Sequence, residues 1–238
     1  MKFSNRLLIG FVGFVLIYMI VAFTELRLKG DNENLLSENT ISETMPLGNY
    51  KYLIISDLNR MISVRSSRTP GVEIKSMKGG LLSSLKYRIA GDTLALTGLE
   101  AEGIRYEVCI FVPETGFNQI EIQNTNITLE NLNLSEITVR QINANVSLAP
   151  DVDISKIFIK ASENSNFTSR EAQIDTISVN LQSSYAYLYF REALKADNKQ
   201  VYRIEGSLTN SSRLIMYGSG EIYIKKDATS SISWIEVN

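Results

Sequence analysis

The sequence contains no histidine, which removes the commonest general base and the commonest metal ligand together. It has a single cysteine, so neither an internal disulfide nor a zinc site built from thiolates can form within the chain. That residue, Cys109, is expected to pack in the core, although Val108, Ile110 and Val112 form the cleaner apolar face of its strand. Without an imidazole to activate the thiol, a nucleophilic role for Cys109 is disfavoured.

The chain also lacks an excess of charge of either sign. Its 24 Lys and Arg residues nearly balance its 26 Asp and Glu residues, and the formal net charge at pH 7 is −2. A nucleic-acid partner would demand a strongly basic face, so none is expected. The length of 238 residues allows one sizeable globular domain.

What the sequence does contain is an apolar-x-apolar motif at a fixed spacing. Ile137–Val139, Ile157–Ile159 and Ile177–Val179 begin twenty residues apart, and weaker copies flank them at Ile120–Ile122 and Ile222–Ile224. Strand alternation places the two apolar residues of each copy on the same face. A fixed period of this kind predicts stacked rungs that bury one another's apolar edges.

Each of the three central copies is followed by a polar connection and a second short strand, at 145–148, 166–168 and 186–190. The register of the middle strand is uncertain. By strict spacing, Asn166 and Thr168 occupy the places of apolar residues, which leaves open that Phe167 is the inward residue of that rung.

We therefore predict an all-β fold for residues 47–238, a right-handed β-helix or β-solenoid-like domain. The alternative is an antiparallel β-sandwich, whose strands recur at comparable spacing. Sandwich hairpins commonly use Asn-Gly or Asp-Gly turns, and the chain has neither dipeptide. Asn, Ser and Thr fill the connections and suit side-chain-capped turns. The glycosylation-like motifs beginning at Asn126, Asn133, Asn145, Asn166 and Asn210 are interpreted in the same way.

The N-terminal region predicts one transmembrane helix. Residues 7–23 contain no charged side chain, and Thr24 and Leu26 extend the run to 7–26, close to the length that a bilayer requires. A cleaved signal peptide is the alternative, but its apolar core is usually about 7–15 residues long and is followed by a small-x-small site. No such site follows here, so we expect an uncleaved anchor.

The flanking charges predict the orientation of this anchor. Lys2 and Arg6 precede it, and short basic tails usually stay in the cytoplasm. We expect residues 1–6 to be cytoplasmic and the C-terminal domain to be extracytoplasmic, which means periplasmic in a Gram-negative bacterium. Residues 27–46 are rich in polar side chains and are predicted to be a tether.

The first half of the domain contains further strand patterns. Six segments are predicted as strands: 50–56, 61–65, 72–75, 85–89, 93–96 and 104–113. The last of them ends at Val112-Pro113, a natural strand end because proline cannot donate to a ladder.

The order of these parts resembles the auto-transporter adhesin head GIN domain family, which is found widely in Bacteroidetes. Leu53–Leu58 with Ile62–Val64 matches the family's opening, and Glu107–Pro113 matches its strand that ends in proline. Phe117–Ile122 matches its first rung, and Tyr217–Ile224 matches its Gly-Ser-Gly rungs. The resemblance implies a β-helical fold at the cell envelope and supplies no catalytic residues.

Carboxylates are the remaining candidates for catalysis or metal binding. Those on or between the predicted rungs are Glu121, Glu130, Glu136, Asp151, Asp153, Glu163 and Asp175. No two of them recur at one position in neighbouring rungs, as a cleft with carboxylates about 5–9 Å apart would favour. Asp151 and Asp153 follow Pro150, but the glycine and downstream glutamate of a calcium loop are missing. We predict no catalytic residue, no cofactor and no metal site.

The best candidate for a binding surface is a row of tyrosines. Tyr185, Tyr187 and Tyr189 share one face of a strand, opposite the apolar Ala186 and Leu188. In-line phenols can stack on sugar rings or fill a protein interface, although cross-strand packing is the commoner role. Phe167 would extend the surface if it aligned beside Tyr187.

These observations predict a non-enzymatic, membrane-anchored cell-envelope protein that presents a β-solenoid for binding or adhesion. Two alternatives stay open. One is a glycan-binding or glycan-active β-helix domain that uses the tyrosine row. The other is a structural or sensory module that pairs with another membrane protein through an uncapped solenoid end. A protein or a glycan is the expected partner besides the membrane.

Overall fold

The computed structural model describes residues 15, 18–19, 40–58, 60–101, 103–189, 202–217 and 220–235. Residues 40–238 form one compact unit. Within the described residues the chain forms nineteen strands and one 3₁₀ helix, Leu82–Ser84. The strands are β1 Ile41–Pro46, β2 Tyr52–Ser56, β3 Met61–Ser67, β4 Gly71–Ser76, β5 Leu85–Ala90, β6 Thr93–Leu99, β7 Tyr106–Pro113, β8 Gln119–Gln123, β9 Asn126–Leu129, β10 Asn133–Ile142, β11 Asn145–Leu148, β12 Asp153–Ser162, β13 Asn166–Arg170, β14 Gln173–Gln182, β15 Tyr185–Tyr189, β16 Tyr202–Thr209, β17 Arg213–Tyr217, β18 Gly220–Lys226 and β19 Ser231–Ile235.

The described strands form two mixed sheets. Sheet A has the order β1-β4-β7-β3-β9-β11-β13-β15-β17-β19, and sheet B has the order β18-β16-β14-β12-β10-β8-β2-β6-β5. The antiparallel pairs are β1 with β4, β4 with β7, and β5 with β6. The prediction of an all-β fold is confirmed.

From residue 119 onward, successive strands alternate between sheet B and sheet A. Each strand from β8 to β17 pairs in parallel with the strand two places further along the chain. One strand of each sheet makes a rung, and the rungs stack in chain order. This is the connectivity of a solenoid, so the antiparallel β-sandwich alternative is wrong for this part of the chain.

The apolar-x-apolar motif that recurs every twenty residues forms a column of side chains in the structure. Ile137 lies beside Ile157, and Ile157 lies beside Ile177 in the parallel register of sheet B. Ile204 continues the column in β16, and all four side chains are buried between the sheets. Burying an isoleucine contributes about 1.5–3 kcal/mol, so each repeated residue stabilises its own rung and the contact with the next.

The register of the middle rung is resolved by the pairing of β13. Phe167 lies between Val146 of β11 and Ala186 of β15, and its side chain is fully buried. The one-residue slip allowed by the sequence is therefore real. The connection that precedes β13 is longer by one residue, which keeps the apolar face of this rung inward.

All six strands predicted in the first half are present, but their stacking order does not follow the chain. The rung made of β2 and β3 lies between the β6–β7 rung and the β8–β9 rung. The sequence pattern does not predict that β2 and β3 lie between later strands. Which strands become parallel neighbours depends on contacts between residues that are far apart in the sequence. Beyond the β6–β7 rung, β4 and β1 extend sheet A and β5 extends sheet B, all in antiparallel pairings.

The corners from sheet B to sheet A use residues with positive φ. Asp57, Asn124 and Asn143 have φ values of 55°, 52° and 48°, in the left-handed region that Asn and Asp tolerate best. Their side chains form a ladder: the Asn124 amide donates to Asp57 at 2.9 Å, and the Asn143 amide donates to Asn124 at 2.9 Å. These contacts explain why the connections are rich in Asn.

A second ladder consists of buried serines and runs through the later corners from sheet B to sheet A, after β14, β16 and β18. The Ser184 N–H donates to the Ser212 hydroxyl, and the Ser212 N–H donates to the Ser230 hydroxyl, both at 3.2 Å. The Ser212 hydroxyl also donates to the Thr209 carbonyl at 2.6 Å. Each hydroxyl thus satisfies polar backbone groups that the turn would otherwise bury without partners.

The predicted tether overlaps the folded domain. Its last six residues form β1, Ile41–Pro46, which pairs with β4 over its whole length. The domain therefore includes residues before the predicted boundary at 47, since these backbone hydrogen bonds join them to sheet A. The remainder of the tether, 27–39, lies outside the described residues.

Among the described residues, no helix has the length and apolar character needed to cross a bilayer. The predicted transmembrane segment, 7–26, lies outside the described residues except for Val15, Tyr18 and Met19. The predicted cytoplasmic tail, 1–6, lies outside them entirely. Both stay predictions.

The serine ladder generates a stability prediction. Replacing Ser212 with Ala removes the acceptor of the Ser184 N–H and leaves that group buried without a partner. We expect the free energy of unfolding to fall by about 1–3 kcal/mol. Urea denaturation followed by circular dichroism measures it. Ser207→Ala is the matched control, because Ser207 lies on the outward face of the adjacent β16. Equal stability of the two variants would contradict a stabilising role for the ladder.

Candidate binding surface

The tyrosine row lies on the outward face of sheet A. Ala186 and Leu188 are fully buried, so strand alternation directs the tyrosines of β15 away from the interior. Tyr185 and Tyr189 remain 40% and 36% exposed, and Tyr187 between them is half-buried. The predicted common face of the three phenols is therefore present in the structure.

A fourth tyrosine joins the row from the next rung. Tyr217 of β17 pairs with Tyr189, and the two rings stack with centroids 4.4 Å apart and an interplanar angle of 7°. Desolvation raises the pKa of Tyr189, and its hydrogen bond with Tyr217 adds to the rise. The phenol stays neutral at physiological pH. We call Tyr185, Tyr187, Tyr189 and Tyr217 the tyrosine patch.

Polar residues flank the tyrosine patch on both neighbouring strands. In β13, Asn166 lies beside Tyr185 and Arg170 lies beside Tyr189. In β17, Arg213 lies beside Tyr185. Flat aromatic surface next to guanidinium and amide groups is the combination used to bind sugars and protein loops, because rings stack while the polar groups donate hydrogen bonds.

Phe167 does not belong to this surface, which corrects the prediction that included it. It is fully buried and lies beside Ala186, whereas Thr168 is the neighbour of Tyr187. The prediction failed because it counted residues at strict spacing across a corner that contains an extra residue. Tyr217 was missed for a related reason: residues 190–201 interrupt the repeat, so its pairing with Tyr189 cannot be read from a constant period.

The candidate carboxylates are dispersed over the described surface. Glu130 accepts from the Arg65 guanidinium at 2.7 and 2.8 Å, and Glu121 lies 3.4 Å from Arg140. Asp151 and Asp153 are exposed at a turn and at the start of β12. Within the described residues, no three His, Cys, Asp or Glu side chains approach closely enough to hold a metal ion together.

Cys109 lies on the outward face of β7, so the prediction that it packs in the core is wrong. Val108, Ile110 and Val112 take the inward positions, as their apolar side chains require. Cys109 is half-buried between Ser63 of β3 and Glu73 of β4. Desolvation raises the pKa of its thiol to about 11, and Arg65 offsets only part of this effect.

A groove on the outward face of sheet B is a second candidate surface, which the sequence did not reveal. Its volume is about 480 Å³. Side chains from β8, β10, β12 and β14 line it, chiefly Gln119, Thr138, Arg140, Lys160, Ser162, Asn180 and Gln182. No aromatic ring lines it, and Arg140 is already paired with Glu121. It therefore offers polar contacts but no stacking platform.

The environment of Cys109 predicts slow alkylation of the folded protein. A thiol pKa near 11 leaves about 100-fold less thiolate at pH 8 than an ordinary cysteine would have. We expect iodoacetamide to react about 100-fold more slowly with the folded chain than with the urea-denatured chain, and the folded rate to rise towards pH 11. Mass spectrometry of the labelled protein measures the rates. A folded rate that reaches its plateau near pH 8 would rule out the raised pKa.

Comparison with known proteins gives a likeness of fold. No protein-family model matches the sequence, and no curated protein matches it either. The solved structure of a "putative adhesin" from Bacteroides fragilis NCTC 9343 aligns with a TM-score of 0.57 at 12% identity, over 84% of this chain and 98% of that chain. A "putative lipid binding protein" from Parabacteroides distasonis aligns with a TM-score of 0.45 at 12% identity, over 84% and 95% of the two chains. The first alignment shows that this chain shares its fold with the Bacteroides fragilis protein.

Proposed function

We propose that this protein is a non-enzymatic, membrane-anchored protein of the cell envelope that binds its ligand through the tyrosine patch. The observation that carries the proposal is the pair of stacked, solvent-accessible rings of Tyr189 and Tyr217 on a rigid sheet. Strand pairing on both sides fixes their backbones, so little conformational entropy is lost when a ligand stacks on them.

The ligand class that suits this surface best is a carbohydrate. The patch lies on the outward face of sheet A and carries four aromatic rings with their hydroxyl groups, and Arg170 and Arg213 lie on the strands beside it. Sugar rings present apolar C–H faces with hydroxyl rims, which match these two features. The shared fold with a Bacteroides fragilis protein named as an adhesin supports a binding role, as does the dispersal of the described carboxylates.

The same proposal includes the handedness of the coil and the family to which the chain is related. The coil of rungs is right-handed, because crossovers between parallel strands of one sheet have that hand in nearly all proteins. The chain is a divergent relative of the auto-transporter adhesin head GIN domain family. Its support is the order of sequence motifs together with the shared fold.

The binding role is tested with the full chain in detergent on an array of bacterial and host glycans. We expect the variant Tyr185→Ala, Tyr189→Ala, Tyr217→Ala to lose affinity. The loss should be about 2–10-fold per ring, since one aromatic contact is worth about 0.5–1.5 kcal/mol. Tyr87→Ala is the control, because Tyr87 is an equally exposed tyrosine on β5 of sheet B. Unchanged binding by the triple variant would remove the patch as the site.

The proposed location is tested separately in spheroplasts. Residues 7–23 carry no charged side chain, and Lys2 and Arg6 precede them, so we expect the β-domain to lie outside the cytoplasm. We expect protease added to intact spheroplasts to digest the β-domain while a cytoplasmic marker survives. Survival of the β-domain until the membrane is lysed would contradict this orientation.

A further inference from the structure

The last rung leaves its interior face unfinished within the described residues. β18 and β19 are the edge strands of sheets B and A at the C-terminal end of the stack. In the preceding rung Leu214 and Met216 are 0% and 2% exposed, whereas Trp234, which pairs with Met216, is 42% exposed. The inward residues Ile222, Ile224 and Ile232 are only partly buried. A further layer would bury this apolar surface, as each rung buries the one before it.

The edge strands at the opposite end carry features that discourage pairing. β5 carries Lys86 and Arg88, and β1 carries Glu43 and Pro46. Charged residues and proline on an edge strand oppose the addition of another strand. β19 reads Ser-Ile-Ser-Trp-Ile and has neither a charge nor a proline. The β19 edge is therefore suited to accept a further strand, whereas β18, with Glu221, Lys225 and Lys226, accepts a strand whose charges complement its own.

The charges of β18 indicate which strand would be added. An antiparallel pairing of β18 with a second copy, centred on Tyr223, places Glu221 opposite Lys225 of that copy and Lys225 opposite its Glu221. The same register places the inward Ile222 opposite Ile224. Oppositely charged residues directly across an antiparallel pair are stabilising, and both charge pairs of this arrangement are complementary.

We infer that two copies of this chain join at their C-terminal ends through a twofold axis. The two strands of a rung run in opposite directions, so a twofold axis crossing both sheets at right angles to the stack pairs β18 with β18 and β19 with β19. Both pairings are antiparallel and isologous, and the contact closes on itself at two copies. The sheets continue across the junction, and the unfinished face of each copy covers that of the other.

This arrangement places the two tyrosine patches on the same side of the dimer, because the axis maps sheet A onto sheet A. The assembly then offers two equivalent sites to a repeating ligand, and simultaneous engagement raises the overall affinity. This consequence, unlike the pairing itself, rests on the proposed binding function.

Disulfide trapping of the full chain in detergent tests the register. In a Cys109→Ser background, Tyr223→Cys places a thiol on the twofold axis opposite its own copy. Antiparallel partners have Cα atoms about 4.5–5.5 Å apart, within the range of a disulfide. Glu205→Cys is the control, because Glu205 pairs with Tyr223 in the rung behind. Its two copies would lie about 14 Å apart, three strand spacings. We expect covalent dimers of the first variant only, and equal amounts from both would overturn the register.

Charge reversal tests the pairing independently of cysteine chemistry. Glu221→Lys converts both charge pairs into Lys–Lys contacts, and we expect the dimer dissociation constant to rise at least about tenfold in sedimentation experiments. Adding Lys225→Glu restores complementarity, and the constant should return to within about threefold of the original. Glu136→Lys, an exposed reversal on β10, is the control for net charge. Circular dichroism confirms that each variant is folded.

The outcomes separate this dimer from other sources of association. A wild-type chain that is monomeric at every concentration would overturn the proposal. So would a dimer that Glu221→Lys leaves intact, since that association would arise elsewhere, for instance in the N-terminal segment. Loss of glycan binding in the tyrosine variants with an unchanged dimer constant would leave the pairing standing, so the two proposals fail separately.

Discussion

The rest of this structure depends on one constraint, the parallel register that stacks equivalent residues of successive rungs. Once Ile137, Ile157 and Ile177 lie side by side, every other position of those rungs acquires a defined neighbour. Apolar columns face inward, polar and aromatic columns face outward, and the corners stack into ladders of Asn and Ser. A shift of one residue would turn an apolar column outward, which is why an extra residue in a corner preserves the position of Phe167.

The same register converts single residues into extended surfaces. Tyr189 alone is an exposed phenol, but pairing with β17 stacks it on Tyr217 and makes an aromatic surface. The arginines beside that surface come from β13 and β17, and the Arg213 guanidinium donates to the Ser231 hydroxyl of β19 at 3.4 Å. The scaffold thus supplies rigidity, and the outward columns supply chemistry. The proposed binding function depends on this surface, whereas Glu130 and Glu121 are paired with arginines elsewhere on the domain.

A stack of rungs also has to end, and the two ends of this one differ. The antiparallel strands β1, β4 and β5 complete one end, with charges and a proline on the strands that terminate the sheets. At the other end the described strands leave Trp234 partly exposed on a face that is buried in every earlier rung. Among the described residues, the parallel repeat therefore leaves apolar surface at the end that no antiparallel strands complete.

The sequence by itself determined the all-β class, the six strands of the first half, the rung period and the outward face of the tyrosines. These features depend on local alternation and on spacing within a few tens of residues, which a single chain displays directly. Only the tertiary structure decided the placement of β2–β3 between later rungs, the outward position of Cys109, the burial of Phe167 and the stacking of Tyr217 on Tyr189. Those features depend on which strands, distant in sequence, become neighbours in a sheet. Where a repeat is interrupted or shifted by one residue, its spacing does not predict these neighbours.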